Sequence, residues 1–272
     1  NANPFAQRST LEYELPPFAL IKEEHYLPAF YEACAAQLAE VQAILDTPGG
    51  ATFENTIVAL EKSGQYLGRV LRVFYNKSSS DTNDALNAIE EELAPKFAAH
   101  QDAISLNPVL FKRIKDLYDA RESLGLNTED AWLLERYYKD LIHKGAHLTE
   151  AQRDRLKELN EELSSLQTQF SKNVLADTND LAVLVDSVEE LDGLSENQIA
   201  AAAAAAKDRG HDGKWLIGMV NFTGNPVLDS LTNRPLRKKI MEASLLKANR
   251  DNDNDNKQVL LKMVKLRAER AK

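Results

Sequence analysis

The segment His143-Lys144-Gly145-Ala146-His147 has the spacing at which one helical turn presents two imidazoles to a zinc ion. Zinc hydrolysis also needs a base for the metal-bound water, and that base is a glutamate directly after the first histidine. Lys144 stands there instead, and Gly145 is expected to break the helix. The segment precedes a capping box, Thr149 to Gln152, so it reads as a loop between helices carrying two unrelated histidines. The run Asp251-Asn252-Asp253-Asn254-Asp255-Asn256 imitates the opening of a calcium loop, with aspartate at positions one, three and five. Position six should be glycine and is Asn256, and position twelve should be a bidentate glutamate and is Lys262. A polar helix start, with aspartate near the positive end of the dipole, explains the run without a cation.

Other reactive groups fare no better. Glu90-Glu91-Glu92 and Glu161-Glu162 are expected on polar helix faces, where acid-base work would lack the burial that shifts a carboxyl. Cys34 sits in an apolar helical stretch and is expected to be a small buried side chain; as the one cysteine it excludes an internal disulfide. No glycine-rich phosphate loop, nucleophile elbow or paired-cysteine knuckle is present. No catalytic residue and no metal ligand is assigned in this chain, and substrate-binding residues are left unassigned.

The elements that would position any site are helical. The 272 residues carry a formal charge of −9 with 43% hydrophobic residues, enough apolar side chain for one large core or two smaller ones. Lysine and arginine are scattered, which argues against nucleic acid, since phosphate binding wants a concentrated basic face. No run of about 18 apolar residues exists to span a membrane, and no export-signal pattern opens the chain. The cytoplasm is the expected compartment, with the periplasm as the alternative.

Residues 1–18, punctuated by Pro4 and Pro16-Pro17, read as an extended N-terminal arm. A helical bundle is expected over 19–176. Pro28 falls near the start of its first helix, and Thr47-Pro48-Gly49-Gly50 stops it. Thr52 caps a second helix, in which Ile57, Leu60, Gly64, Leu67, Leu71 and Phe74 form one stripe, with Gly64 and Gly68 permitting close approach of a neighbour. Ser78-Ser79-Ser80-Asp81 ends it. Leu86, Ile89, Leu93 and Phe97 begin another stripe, which Pro95 should kink. Asn107-Pro108 starts a helix expected to reach Leu124, and Thr128 starts the next. Leu156, Leu159, Leu163, Leu166 and Phe170 form a seam on a long helix ending near Leu175. Residues 177–272 change texture: β-rich runs at 181–185 and 214–220 flank a helix with seven consecutive alanines, Ala200 to Ala206. Helices then run from Arg234 to about Ala248, and from the Asp251 run through Lys272. The fold class is mainly α: a multi-helix lobe with a small inserted strand-helix-strand element.

Several ordered segments together resemble the thimet-oligopeptidase family of metallopeptidases, most of all its bacterial peptidyl-dipeptidase (dipeptidyl carboxypeptidase) branch. They are Asn3-Pro4-Phe5, Pro17-Phe18, Ile21 to Tyr26, Pro28-Ala29-Phe30, Phe53 to Ile57 and Ala59 to Gly64. Arg121 to Leu126, Gly193 to Glu196, Lys214 to Ile217, Asn221, Thr223 and Pro226 continue the order. The resemblance implies two mainly helical lobes across a deep channel, with zinc held in the C-terminal part by H-E-x-x-H and a later glutamate, and C-terminal dipeptides released from oligopeptides. This chain would then be about the N-terminal two-fifths: a non-catalytic lobe forming one wall of the channel, binding no zinc itself and inactive alone. Its partners would be oligopeptide substrates and a C-terminal catalytic domain beyond Lys272, with a dimer of the lone lobe possible through the uncovered face. The competing reading is a free-standing helical scaffold or interaction domain without enzymatic activity; a third, a calcium module, rests on the Asp251 run.

Overall fold

A computed structural model describes residues 3–221 and 223–272, so Asn1 and Ala2, the first positions of the expected arm, lie outside it, as does Phe222. The fold is mainly α with one small two-stranded antiparallel sheet. The chain forms two compact units, one ending at Ser165 and the other spanning Leu166–Lys272.

In the first unit the arm is tied down at its start. Asn3 Nδ2 donates to the His25 carbonyl at 2.8 Å, and buried Phe5 lies 5.5 Å, ring to ring, from Tyr26. Helix α1 (Tyr26–Leu45) follows, with Pro28 in its first turn. Its N-terminal half packs Phe30 into one apolar cluster with Phe74 and Leu93, and its C-terminal half packs Ile44 into a second with Ile57 and Ile114.

The Ile57–Phe74 stripe, read from sequence as one helix, is divided. Thr52 caps a π turn (Phe53–Val58) leading into α2 (Ala59–Lys62), and α3 (Gln65–Ser80) begins afresh after Gly64. The break sends Ile57 and Leu60 to the second cluster and Leu67 and Phe74 to the first. Gly64 has φ +71°, and a Cβ there would lie 2.2 Å from Gln37 Nε2 on α1, so this glycine serves both a left-handed turn and a close approach. Gly68 does not: a Cβ there would meet Arg72 of its own helix.

Helix α4 (Asp84–Ser105), capped by Asn83, continues through Pro95. Helix α5 (Pro108–Asp119) is capped by Asn107 as expected, but it ends at Asp119 and a 3-10 turn at Arg121–Ser123 precedes Gly125. Helices α6 (Thr128–Lys144) and α7 (Glu150–Asp180) follow; α7 outlasts the expected stop near Leu175, and the division between the units falls inside it.

In the second unit β1 (Val183–Val185) pairs with β2 (Trp215–Ile217), Leu184 opposite Leu216. Between them α8 (Glu196–Asp208) opens on a full capping box, Ser195 with Gln198, and buries Ala202 and Ala206. The alanine run is thus a helix whose small side chains let it lie close to its sheet. Sequence periodicity missed α9 (Gly224–Ser230), which is too short to show a stripe. Helix α10 (Arg234–Leu245), capped by Asn233, buries Leu236 and Ile240. Helix α11 (Lys257–Arg270) corrects the expectation for the last element: it starts after the Asp251–Asn256 run, and its C-cap is Ala271.

Gly193 is the tightest glycine in this unit. Its φ is +94°, and a Cβ would fall 2.0 Å from the Ser230 carbonyl oxygen, a backbone atom with no rotamer to escape by. Gly193→Ala is expected to destabilise the Leu166–Lys272 unit by about 3 kcal/mol, measured by urea unfolding with hydrogen exchange of the β1 and α8 amides as a local readout. Exchange unchanged from the parent protein would contradict the assigned contact.

Candidate functional site

The two histidines of the zinc-like spacing do not come together. Exposed His143 lies in the last turn of α6, which extends further than the expected loop, and exposed His147 lies beyond Gly145, whose φ of +93° ends the helix. One is on the helix and one is off it, so they share no face, and Lys144 beside them is a cation. Among the described residues no group of three histidine, cysteine, aspartate or glutamate side chains is placed to hold a metal ion. The donors present do not fit zinc.

The Asp251–Asn256 run is a folded turn with its own purpose. Asp255 accepts from the Asp251 amide at 2.8 Å and the Lys257 amide at 2.9 Å, and Lys257 Nζ reaches Asp251 at 2.6 Å and Asp255 at 3.1 Å. These contacts hold the Asp255 carboxyl below its usual range, the backbone donors first. A lysine ammonium therefore stands where a calcium reading would put the ion. The aspartate at the head of α11 accepts a first-turn amide, as the dipole argument expects.

What the run encloses was not visible from sequence. Asp177, near the end of α7, is fully buried, and its carboxylate gathers donors from one loop: the Ala248 amide (2.7 Å), Arg250 Nε (3.2 Å) and Nη2, Asn254 Nδ2 (3.1 Å) and Asn252 Nδ2 (3.4 Å). Hydrogen bonding to Arg250, partly opposed by burial, lowers its pKa to about 2. Buried Asn256 closes the loop, accepting from Asn173 at 2.9 Å and donating to the Phe170 carbonyl at 3.0 Å. With every donor supplied by the chain itself, this centre is built to hold a loop against a helix. A buried carboxylate so far along α7 leaves no periodic signal to find it by.

The remaining sequence candidates lie in contacts within the fold or at the surface. Glu90 accepts from Ser78 at 2.7 Å and Glu92 from the Tyr31 hydroxyl at 2.7 Å, and Glu161 is exposed. Cys34 is half-buried on the first cluster, and burial pushes its thiol up to about 11, so it is protonated at neutral pH and a poor nucleophile. The segment Phe53–Ile57 is a clasp: Asn55 closes the box with Thr52, while Arg113 of α5 donates to Asn55 Oδ1 (2.9 Å) and to buried Thr56 (2.8 Å).

Comparison with known proteins places these elements. No protein-family model matches the chain. It is 38% identical over 269 residues to dipeptidyl carboxypeptidase of Escherichia coli (strain K12), an alignment covering 99% of this chain and 40% of that protein. It is 35% identical over 272 residues to dipeptidyl carboxypeptidase of Salmonella typhimurium, covering 100% and 40%. Oligopeptidase A of the same Salmonella is 27% identical over 263 residues, covering 95% and 38%. The chain spans about two-fifths of the length of these curated relatives. Similarity of this extent, carried along the whole chain, establishes the class: the chain belongs to the thimet-oligopeptidase family of peptidases. Of the relatives compared, the two dipeptidyl carboxypeptidases share more of its sequence than the oligopeptidase does.

Two outcomes test the Asp177 centre and the Asp251 turn in order. Because its folded pKa lies below 3.8, the stability it contributes is fully present above that pH and is lost as pH falls toward about 2. Asp177→Asn is expected to cost about 3 kcal/mol near neutral pH and to flatten the acid limb of the stability curve, read by urea titration at stepped pH. Calcium added to the wild-type chain should give no saturable heat by calorimetry, since the turn already carries its own cation.

Proposed function

We propose that this chain is the non-catalytic N-terminal lobe of a zinc peptidyl-dipeptidase, forming one wall of a channel in which oligopeptides lose C-terminal dipeptides. The observation that carries the reading is 38% identity to a dipeptidyl carboxypeptidase along 99% of the chain. Its chemistry points the same way. The sequence holds no H-E-x-x-H, and Asp177, Glu90 and Glu92 serve the fold. In this reading the zinc ligands and the general base belong to the remainder of the longer protein, and the metal supplies water activation there. A helical wall opposite that centre admits short, extended peptides, excludes folded proteins and limits water around the reacting amide.

The wall needs no reactive side chain, only a rigid surface. Two apolar clusters and the Asn55–Arg113 clasp provide this within the first unit, and the Asp177 loop provides it within the second. Met241 and Leu245 on α10, and Leu260 and Val264 on α11, stand half or more exposed. Surface of that kind is what a following catalytic domain would cover, and what a second copy would cover in its absence.

The purified chain, dialysed against zinc, is expected to retain no stoichiometric metal and to leave an N-blocked tripeptide uncleaved. The longer protein should bind about one zinc and release the C-terminal dipeptide. Cleavage by the lone chain, or a longer protein that binds zinc but shows no peptidase activity, would sink this reading.

A further inference from the structure

The unit ending at Ser165 contains a cleft of about 550 Å³ between the N-terminal segment and α3, within the size range of small-molecule sites. One side is apolar, with Pro4, Pro16, Pro17 and Phe18; the other carries Arg69 and Arg72, one helical turn apart. Neither guanidinium has a carboxylate partner among the described residues. Arg69 donates from Nη2 to the Phe5 carbonyl at a long 3.3 Å and lies over the Tyr66 ring, while its Nε is closed off from water and finds no acceptor. A buried donor left unmet costs about 1–3 kcal/mol, which asks for an explanation. Among the described residues Glu14 is the one carboxylate lining the cleft, and Arg8 holds it at 3.6 Å, so the two α3 cations remain in excess. This excess occurs in a chain whose formal charge is −9.

The rim is also unusual. Tyr13 and Glu14 both have positive φ, 56° and 55°, conformations that non-glycine residues adopt at a cost of about 1 kcal/mol each. Such torsions persist where the surroundings impose them, and they cluster at ligand clamps.

We propose that this cleft binds an organic carboxylate, its anion against Arg69 and Arg72 and an adjoining apolar group against the proline-lined wall. The carboxylate supplies the acceptors that the Arg69 guanidinium lacks. A small turn of that side chain, releasing the long bond to Phe5, brings Nε into use as well. Arginine forks match the two oxygens of a carboxylate, and the apolar wall selects a ligand with a hydrocarbon neighbour over a bare inorganic anion. The proposal stands apart from the peptidase reading and does not depend on it.

The test is titration of the whole chain at low ionic strength with N-acetyl-leucine and with its amide, followed by amide chemical shifts. The acid should saturate with shifts confined to the arm and α3, and the amide should bind at least about tenfold more weakly, the loss expected when a charge-assisted pair is removed. Arg72→Gln, at an exposed position that should not disturb folding, should weaken the acid about tenfold and leave the amide unchanged. Arg69→Gln should do the same or more, and Arg155→Gln, outside the cleft, should do neither. Equal binding of acid and amide, inorganic phosphate matching the acid, shifts elsewhere on the chain, or no saturation would each overturn the proposal.

Discussion

A carboxylate taken out of water must be met by donors, and in the second unit that requirement organises everything after α10. Asp177 is fully buried on α7, and the loop 248–256 exists to satisfy it with an arginine, two asparagine amides and a backbone amide. Meeting those demands fixes the backbone: Ala248 and Asp251 both sit at φ 53°, and the Asn256 amide closes the loop on the Ala248 carbonyl at 2.9 Å. The start of α11 is thereby set at Lys257. A sequence stretch that looks like a metal loop is a turn that leads into α11 and is shaped by one buried anion on α7.

What was legible in the sequence followed from local rules. Thr52 and Asn107 both cap where their side-chain chemistry placed them, because a cap needs only its own next three residues. The strand-helix-strand insert was visible through β-branched runs around an alanine helix. What was missed depends on partners far along the chain. The Ile57–Phe74 stripe kept helical spacing across the break at Gly64, and no local signal says that its two halves serve different clusters. Arg113 and Arg250 carry no local signal of their roles, since each makes its contact with a residue more than fifty positions away. The histidine pair is split by the end of α6, with His143 on the helix and His147 beyond Gly145, and that helix runs further than its local sequence suggests.

The segments that carried the family resemblance are largely not chemical. Asn3 and Phe5 pin the arm, Phe53–Ile57 makes the clasp with Arg113, and Gly193 permits contact with a backbone oxygen. They are points where one residue type alone satisfies the geometry.

The Asp177 loop also has a chemical lifetime. Two of its donors are primary amides, on Asn252 and Asn254, and side-chain amides hydrolyse slowly in water. Should either become an acid, a hydrogen bond to the buried oxygen would turn into a facing negative charge, and the clasp would begin to push the loop away. The two side-chain nitrogens of Asn252 and Asn254 are thus part of what keeps the buried Asp177 carboxylate satisfied.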